Sequence, residues 1–141
     1  MIPRFRAWHK TWEEMGWIAC IRYKKSGEIA RLSFRRNIYD GNIYGGLVNI
    51  DEIELMQSTG LKDKNGKEIF EGDILAVKTD DGTLNVYVFW DEEHALFMFE
   101  SKQYNEKEAL AELLEDNSYP FEILGNIYEN PELLEDKEVD N

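Results

Sequence analysis

The sequence predicts a mainly β fold of the β-rich α+β class, formed as a small bent β-barrel or as two packed antiparallel sheets with one accessory helix. Two observations lead to this class. Turn signals rich in glycine, asparagine and aspartate recur about every 8 to 12 residues, and the segments between them alternate apolar and polar side chains as strands do. Only one segment has the apolar spacing of a helix.

The length and composition fit one folded domain. The chain has 141 residues, of which 43% are apolar, and this is enough to bury a single core. We expect one domain over residues 1–134, in which a basic strand region (1–50) precedes a β-rich core (51–128). The acidic segment 135–141 should be a disordered tail.

Three segments of the basic strand region have strand character: "IPRFRAW" (2–8), "WIACIRY" (17–23) and "IARLSF" (29–34). In the third segment Ala30, Leu32 and Phe34 fall on one face, while Arg31 and Arg35 fall on the other. The arginines should therefore lie in solvent.

Glycine marks the turns in the middle of the chain. The loop 41–46 reads as a flexible connection that leads into a short strand near 47–50. Asn65 and Gly66 predict a hairpin tip closed by a two-residue turn, with positive φ at both positions. Residues 74–100 then predict a three-stranded meander.

The accessory helix is predicted at about 105–115, in "NEKEALAELLED". Asn105 can cap this helix, and Glu108 occupies the third helical position. The apolar stripe that should pack on the sheet consists of Ala109, Leu110, Leu113 and Leu114.

The net charge of −13 is distributed unevenly along the chain. Residues 1–50 contain 9 Lys+Arg and 4 Asp+Glu, a net of +5, whereas residues 51–141 contain 7 and 25, a net of −18. This split indicates either a charged partner, including a second copy of the chain, or two faces of one domain whose charges compensate.

Basic and aromatic residues interleave in the amino-terminal region, and they define a candidate interaction surface. Its members are Arg4, Arg6, Trp8, Arg31, Arg35 and Arg36. An acidic protein surface fits these residues, and a nucleic-acid-binding module is the alternative. The sequence pI of about 4.5 disfavours nucleic acid.

The sequence offers little for catalysis. Asp73 follows Gly72 and should accept hydrogen bonds from the preceding turn. The turn "DEEH" (91–94) has metal-ligand types, but adjacent side chains should diverge. Cys20, the single cysteine, should be a small buried apolar residue of a protein in a reducing compartment. We expect no catalytic residues, cofactor or metal; a metal-dependent hydrolase around Asp73, Asp91 and His94 is a second alternative.

Three blocks of sequence together resemble the YopX family of phage and prophage proteins: "IPRFRAW", "LMQSTGLKDKNGKEIFEGDIL" (55–75) and "FEILGNIYENPELL" (121–134). The resemblance covers nearly the whole chain. It implies a mainly β fold with a small barrel-like part, in phages and integrated prophages of Gram-positive bacteria. It implies no established activity, cofactor or functional residue that could be carried over.

The expected function is that of a non-enzymatic phage accessory protein that binds an unknown host or phage protein and self-associates as a homo-oligomer. Its expected location is the cytoplasm of the bacterial host, because no segment approaches the roughly 18 apolar residues of a membrane span.

Overall fold

The computed structural model describes residues 4–36, 45–101, 106–111 and 121–135. Among these residues, strands dominate and form two antiparallel sheets. The strands are β1 (Phe5–His9), β2 (Glu14–Tyr23), β3 (Ile29–Arg36), β4 (Gly45–Val48), β5 (Ile53–Lys62), β6 (Glu68–Phe70), β7 (Asp73–Thr79), β8 (Gly82–Asp91), β9 (Leu96–Ser101), β10 (Glu106–Ala109) and β11 (Phe121–Asn126). Short 3₁₀ helices span Ile50–Glu52 and Pro131–Leu134.

The sheets are open. One has the order β4-β3-β2-β1-β5-β6, and the other has the order β10-β9-β8-β7-β11. In the described part of the chain neither sheet pairs its first strand with its last, so the prediction of two antiparallel sheets is confirmed and the barrel alternative is not. No helix among the described residues is long and apolar enough to cross a membrane.

The chain divides into two compact units, Met1–Ser58 and Thr59–Asn141. The single domain expected over 1–134 stays a prediction, and the tail beyond residue 135 lies outside the described residues, as does the loop over positions 41–44.

The core of the first unit forms on one face of its strands. It consists of Ala7, Leu32, Phe34, Val48 and Ile53, with Ile18, Ile21, Ile29 and Leu55 packed against it. The alternation predicted for β3 is confirmed, because Leu32 and Phe34 are fully buried while Arg31 and Arg35 are exposed.

The core of the second unit forms around the predicted meander. Strands β7, β8 and β9 pair in sequence order, as expected. The buried residues are Ile69, Leu75, Val77, Val86, Val88, Phe99, Leu110 and Phe121. On β8, Val86 and Val88 face this core, and Trp90 packs edge-to-face on Phe97 with a centroid distance of 5.0 Å.

The predicted helix at about 105–115 is wrong over its first turn. Residues Glu106–Ala109 form β10 and pair with Met98–Ser101 of β9. This pairing supplies backbone hydrogen-bond partners from β9, which a local apolar stripe cannot reveal. Leu110 follows β10 directly and is buried in the core. Leu110 and Ala111 are helical; Asn105 and positions 112–115 lie outside the described residues.

The hairpin between β5 and β6 has a longer loop than predicted. The amide of Asp63 donates to the Lys67 carbonyl (2.9 Å), and the amide of Gly66 donates to the Asp63 carbonyl (3.0 Å). Positive φ occurs only at Gly66 (+80°), not at Asn65. The tip is therefore a three-residue loop with a glycine bulge rather than a two-residue turn.

A single carboxylate organises this loop. Asp63 is 7% exposed; its Oδ1 accepts from the amides of Asn65 and Lys67 (both 2.9 Å), and its Oδ2 accepts from the amide of Ile123 on β11 (3.0 Å). Burial raises the pKa of Asp63, but the three backbone hydrogen bonds outweigh burial and hold the pKa below its ordinary value. Asp63 thus fixes the hairpin to β11.

We expect Asp63→Asn to lower the free energy of unfolding by about 1–3 kcal/mol, because an amide cannot accept hydrogen bonds on both sides and leaves a buried N–H unpaired. Urea denaturation at neutral pH measures this loss. Since the pKa of Asp63 is lowered by folding, its stabilisation is complete above the unfolded pKa and disappears as the pH falls through the folded pKa. The gap between wild type and variant should therefore narrow below about pH 4.

The control is Asp51→Asn, which removes the same charge from an exposed position. This variant should unfold like the wild type. Equal stability of Asp63→Asn and Asp51→Asn would contradict the role assigned to the buried carboxylate.

Candidate interaction surface

The register of β1, β2 and β3 places two residues of the predicted interaction surface in one row with a tryptophan. Arg6 on β1 lies opposite Trp17 on β2, and Trp17 lies opposite Arg35 on β3. Directly opposed residues of antiparallel strands share a face. Arg6, Trp17 and Arg35 therefore form a continuous strip across three strands, on the face opposite the core of the first unit.

Further cationic and aromatic residues extend this strip along the strands. The face now comprises Arg4, Arg6, Trp8, Trp17, Arg22, Arg31 and Arg35, and it is called the basic–aromatic face below. Arg22 lies opposite Arg31, next to the turn that joins β2 and β3. Trp8 lies opposite Met15, one row beyond Ala7 and Gly16. Five of the six residues predicted as an interaction surface thus share a face.

The side chains of this face differ in exposure. Arg4, Arg22, Arg31 and Arg35 are exposed, whereas Arg6 and Trp8 are half-buried. Trp17 is 40% exposed, and the guanidinium carbon of Arg4 lies 5.6 Å from its ring centroid, within range of a cation–π contact. Within the described residues, the side chain of Arg35 makes no hydrogen bond or ion pair, so its guanidinium can donate to a carboxylate of another molecule.

Arg36, the sixth predicted residue, lies on the opposite face. Its Nε is 2.5 Å from Glu14 Oε2 and its Nη2 is 2.6 Å from Glu14 Oε1, a bidentate pair, and its guanidinium carbon lies 5.0 Å from the Trp12 ring centroid. The hydrogen bond lowers the pKa of Glu14 and raises that of Arg36. Being two residues from Phe34, Arg36 shares its face rather than that of Arg35.

An aromatic cluster packs beside the Arg36–Glu14 pair. The rings of His9 and Trp12 stack at 3.8 Å, both contact Phe34, and the Trp12 amide donates to His9 Nδ1 (3.1 Å). Gly16 leaves the room that the cluster needs, because a Cβ there would lie 2.5 Å from Phe34 Cζ and 2.5 Å from the Arg35 carbonyl oxygen.

A bulge in β2 alters which side chains are exposed. The pairing of β2 with β3 shifts by one residue between Ile18 and Cys20, so that Ile18 and Ile21 both pack on the core while Cys20 lies opposite Ser33. Cys20 is exposed, and the prediction of a buried thiol is wrong. A one-residue shift moves every later side chain to the other face.

A groove opens where β1 and β2 separate. The two strands pair only between Arg6–His9 and Glu14–Trp17, while β2 continues to Tyr23. The groove has a volume of about 490 Å³ and is lined by Arg4, Phe5, Trp17, Ile18, Ala19, Cys20, Ile21 and Arg35. It therefore combines two guanidinium groups, an indole ring and apolar side chains.

Sequence reasoning missed Trp17, Arg22 and this groove. The available signal was the spacing of Ile18 and Ile21: two core residues three positions apart do not fit the period of two, so one residue between them must be a bulge.

The predicted hairpin tip, Asn65 and Gly66, is exposed, and these residues build the loop described above. Asp73 is 1% exposed, and its Oδ2 accepts from the Phe70 amide (2.8 Å). This confirms the expectation that Asp73 accepts a hydrogen bond from the preceding turn.

The turn after β8 brings together residues that were expected to diverge. Donor atoms of Asp91, Glu93 and His94 lie within 4.8 Å of one another, so these three residues could hold a metal ion. His94 Nδ1 lies 2.6 Å from Asp91 Oδ2, and this hydrogen bond lowers the pKa of Asp91 and raises that of His94. Asp73 does not belong to this group.

The family profile of the YopX protein matches residues 4–135. The chain belongs to the YopX family. Protein EF1440 from Enterococcus faecalis is similar, with 27% identity and a TM-score of 0.66 over 96% of this chain and 99% of that one. Protein yopX from Bacillus subtilis has 21% identity and a TM-score of 0.59, with coverage of 94% and 98%, and it shares the fold. No curated protein matches the chain.

We expect Gly16→Ala to lower the free energy of unfolding by about 1–3 kcal/mol, because the added methyl group overlaps the Phe34 ring and a backbone carbonyl that cannot move aside. Thermal unfolding measures the change. The matched control is Gly46→Ala on β4, where an added Cβ meets nothing within 4 Å. If both variants unfold at the wild-type temperature, Gly16 is not required for this packing.

Proposed function

We propose that the chain is a non-catalytic binding protein that docks the acidic surface of a protein partner on the basic–aromatic face. The observation that carries the proposal is the row Arg6–Trp17–Arg35, in which an exposed indole lies between guanidinium groups. Tryptophan and arginine are enriched at the energetic centres of protein interfaces. Arginine also binds carboxylates in a bidentate manner, which gives such a contact geometric specificity.

The placement of the candidate catalytic residues supports binding over hydrolysis. Asp73 is buried and accepts a backbone amide, and it does not belong to the group formed by Asp91, Glu93 and His94. In line with the resemblance to YopX proteins of phages and prophages, the proposed partner is a host or phage protein in the bacterial cytoplasm.

Self-association is a second candidate, favoured by the charge of the two units. The first unit has 9 Lys+Arg and 7 Asp+Glu, a net of +2, and the second has 7 and 22, a net of −15. The second unit of another copy therefore supplies an acidic surface of the kind that the basic–aromatic face would bind.

We expect the double variant Arg31→Glu/Arg35→Glu to lose its partner, since like charges then face each other across the interface. Tagged wild type and variant are compared by affinity capture from a phage-induced bacterial lysate, with mass spectrometry and nucleic-acid absorbance. The control is Lys62→Glu/Lys78→Glu, which makes the same charge change at exposed positions of the second unit. A protein retained by wild type and control but lost by the variant supports the proposal.

Self-association is measured separately by sedimentation equilibrium of the purified protein. Electrostatic docking should weaken between about 0.01 M and 1 M salt, as the Debye length falls from about 30 Å to about 3 Å. Capture that is equal in all three proteins would overturn the proposed face, and recovery of nucleic acid instead of protein would favour the nucleic-acid alternative.

A further inference from the structure

Among the residues that the structure describes, the carboxyl-terminal half of β2 pairs on one side only. On one side β2 pairs with β3 along its length, from Gly16 to Tyr23. On the other side β1 pairs with it only as far as Trp17. Among the described residues no strand pairs with Ala19–Tyr23 on that side, and this edge borders the groove next to Arg4 and Phe5. Unpaired backbone donors and acceptors at a sheet edge are a template for an added strand.

The two faces beside this edge differ in chemistry. On the basic–aromatic face lie Arg22, its opposite neighbour Arg31, and Arg35. On the core face lie Ile18 and Ile21, which are half-buried at the margin of the core. An added strand would place alternate side chains on these two faces. It would therefore meet guanidinium groups with one set of side chains and apolar surface with the other.

The pair Arg22–Arg31 points to an anionic occupant. Like charges directly opposite each other on antiparallel strands destabilise a sheet. Both arginines are exposed, and within the described residues neither forms an ion pair. A carboxylate on an added strand next to Arg22 would offset this repulsion by pairing with Arg22.

We infer that an extended acidic peptide segment of the partner adds to the edge of β2 at Ala19–Tyr23, with acidic and apolar residues alternating. Its acidic residues face Arg22, Arg31 and Arg35, and its apolar residues pack on Ile18 and Ile21. This inference rests on the proposed function, since it specifies the shape and sequence pattern of the acidic partner at the same face.

The test uses the full chain and a fluorescein-labelled peptide of alternating glutamate and valine, with fluorescence anisotropy as the measurement. A second peptide of the same sequence has methyl groups on the backbone nitrogens that would face β2. Strand addition requires these N–H groups, so methylation should weaken binding about tenfold or more. Arg22→Gln should weaken binding of the first peptide, whereas Lys25→Gln, an equal charge change at the exposed hairpin tip, should have little effect.

Hydrogen exchange gives a second readout. The amides of Ala19–Tyr23 that point to the open edge should exchange more slowly when the peptide is bound, as measured by NMR. Slower exchange there, together with loss of binding on methylation, supports the inference.

Equal binding of the two peptides would overturn strand addition. If Arg22→Gln then weakens the binding of both peptides, the proposed face remains supported. Absence of binding by either peptide would also overturn it; the capture experiment with Arg31→Glu/Arg35→Glu decides the proposed function independently.

Discussion

A one-residue bulge in β2 determines the chemistry of the amino-terminal unit. A regular strand with Ile18 on the core would bury Cys20 and Arg22 beside it. The register shift between Ile18 and Cys20 instead returns Ile21 to the core and turns Cys20 and Arg22 outward. As a result Arg22 faces solvent opposite Arg31, and the core keeps an unbroken row of apolar residues. Arg22 belongs to the basic–aromatic face because of this shift.

The same unit stabilises the other end of β2 by different means. Gly16 admits the ring of Phe34, and the stacked rings of His9 and Trp12 contact that ring at an angle, so the entry into β2 is filled with aromatic contacts. Arg36 is held there by Glu14. Two neighbouring arginines thus have opposite roles: Arg36 is paired within the fold, and Arg35 is directed to solvent. Pleating alone decides which is which.

The fold could be predicted from sequence wherever the pattern is local. The alternation of Leu32 and Phe34 with arginines gave the buried face of β3 correctly, and the meander over 74–100 was also predicted correctly. Long-range pairing was not accessible in this way. The segment 105–115 has a helical apolar stripe, yet its residues Glu106–Ala109 pair with β9, a partner that the local pattern cannot show. Asn65-Gly66 marked a hairpin but fits both a two-residue and a three-residue loop, and Asp63 decides between them through its three amide contacts.

The charge of the whole chain and the charge of the basic–aromatic face favour different ligands. At physiological ionic strength, charges more than about 8 Å apart in solvent are largely screened, so a short acidic segment seated beside Arg22 and Arg35 experiences mainly these arginines. A long polyanion extends beyond a face of this size and meets the field of a chain with a net charge of −13. We therefore expect the proposed face to discriminate by length as well as by sign, and to favour a compact acidic protein segment over a nucleic acid. The proposed strand addition at Ala19–Tyr23 would add to this preference, because a polypeptide backbone supplies donors and acceptors at the spacing of a strand edge.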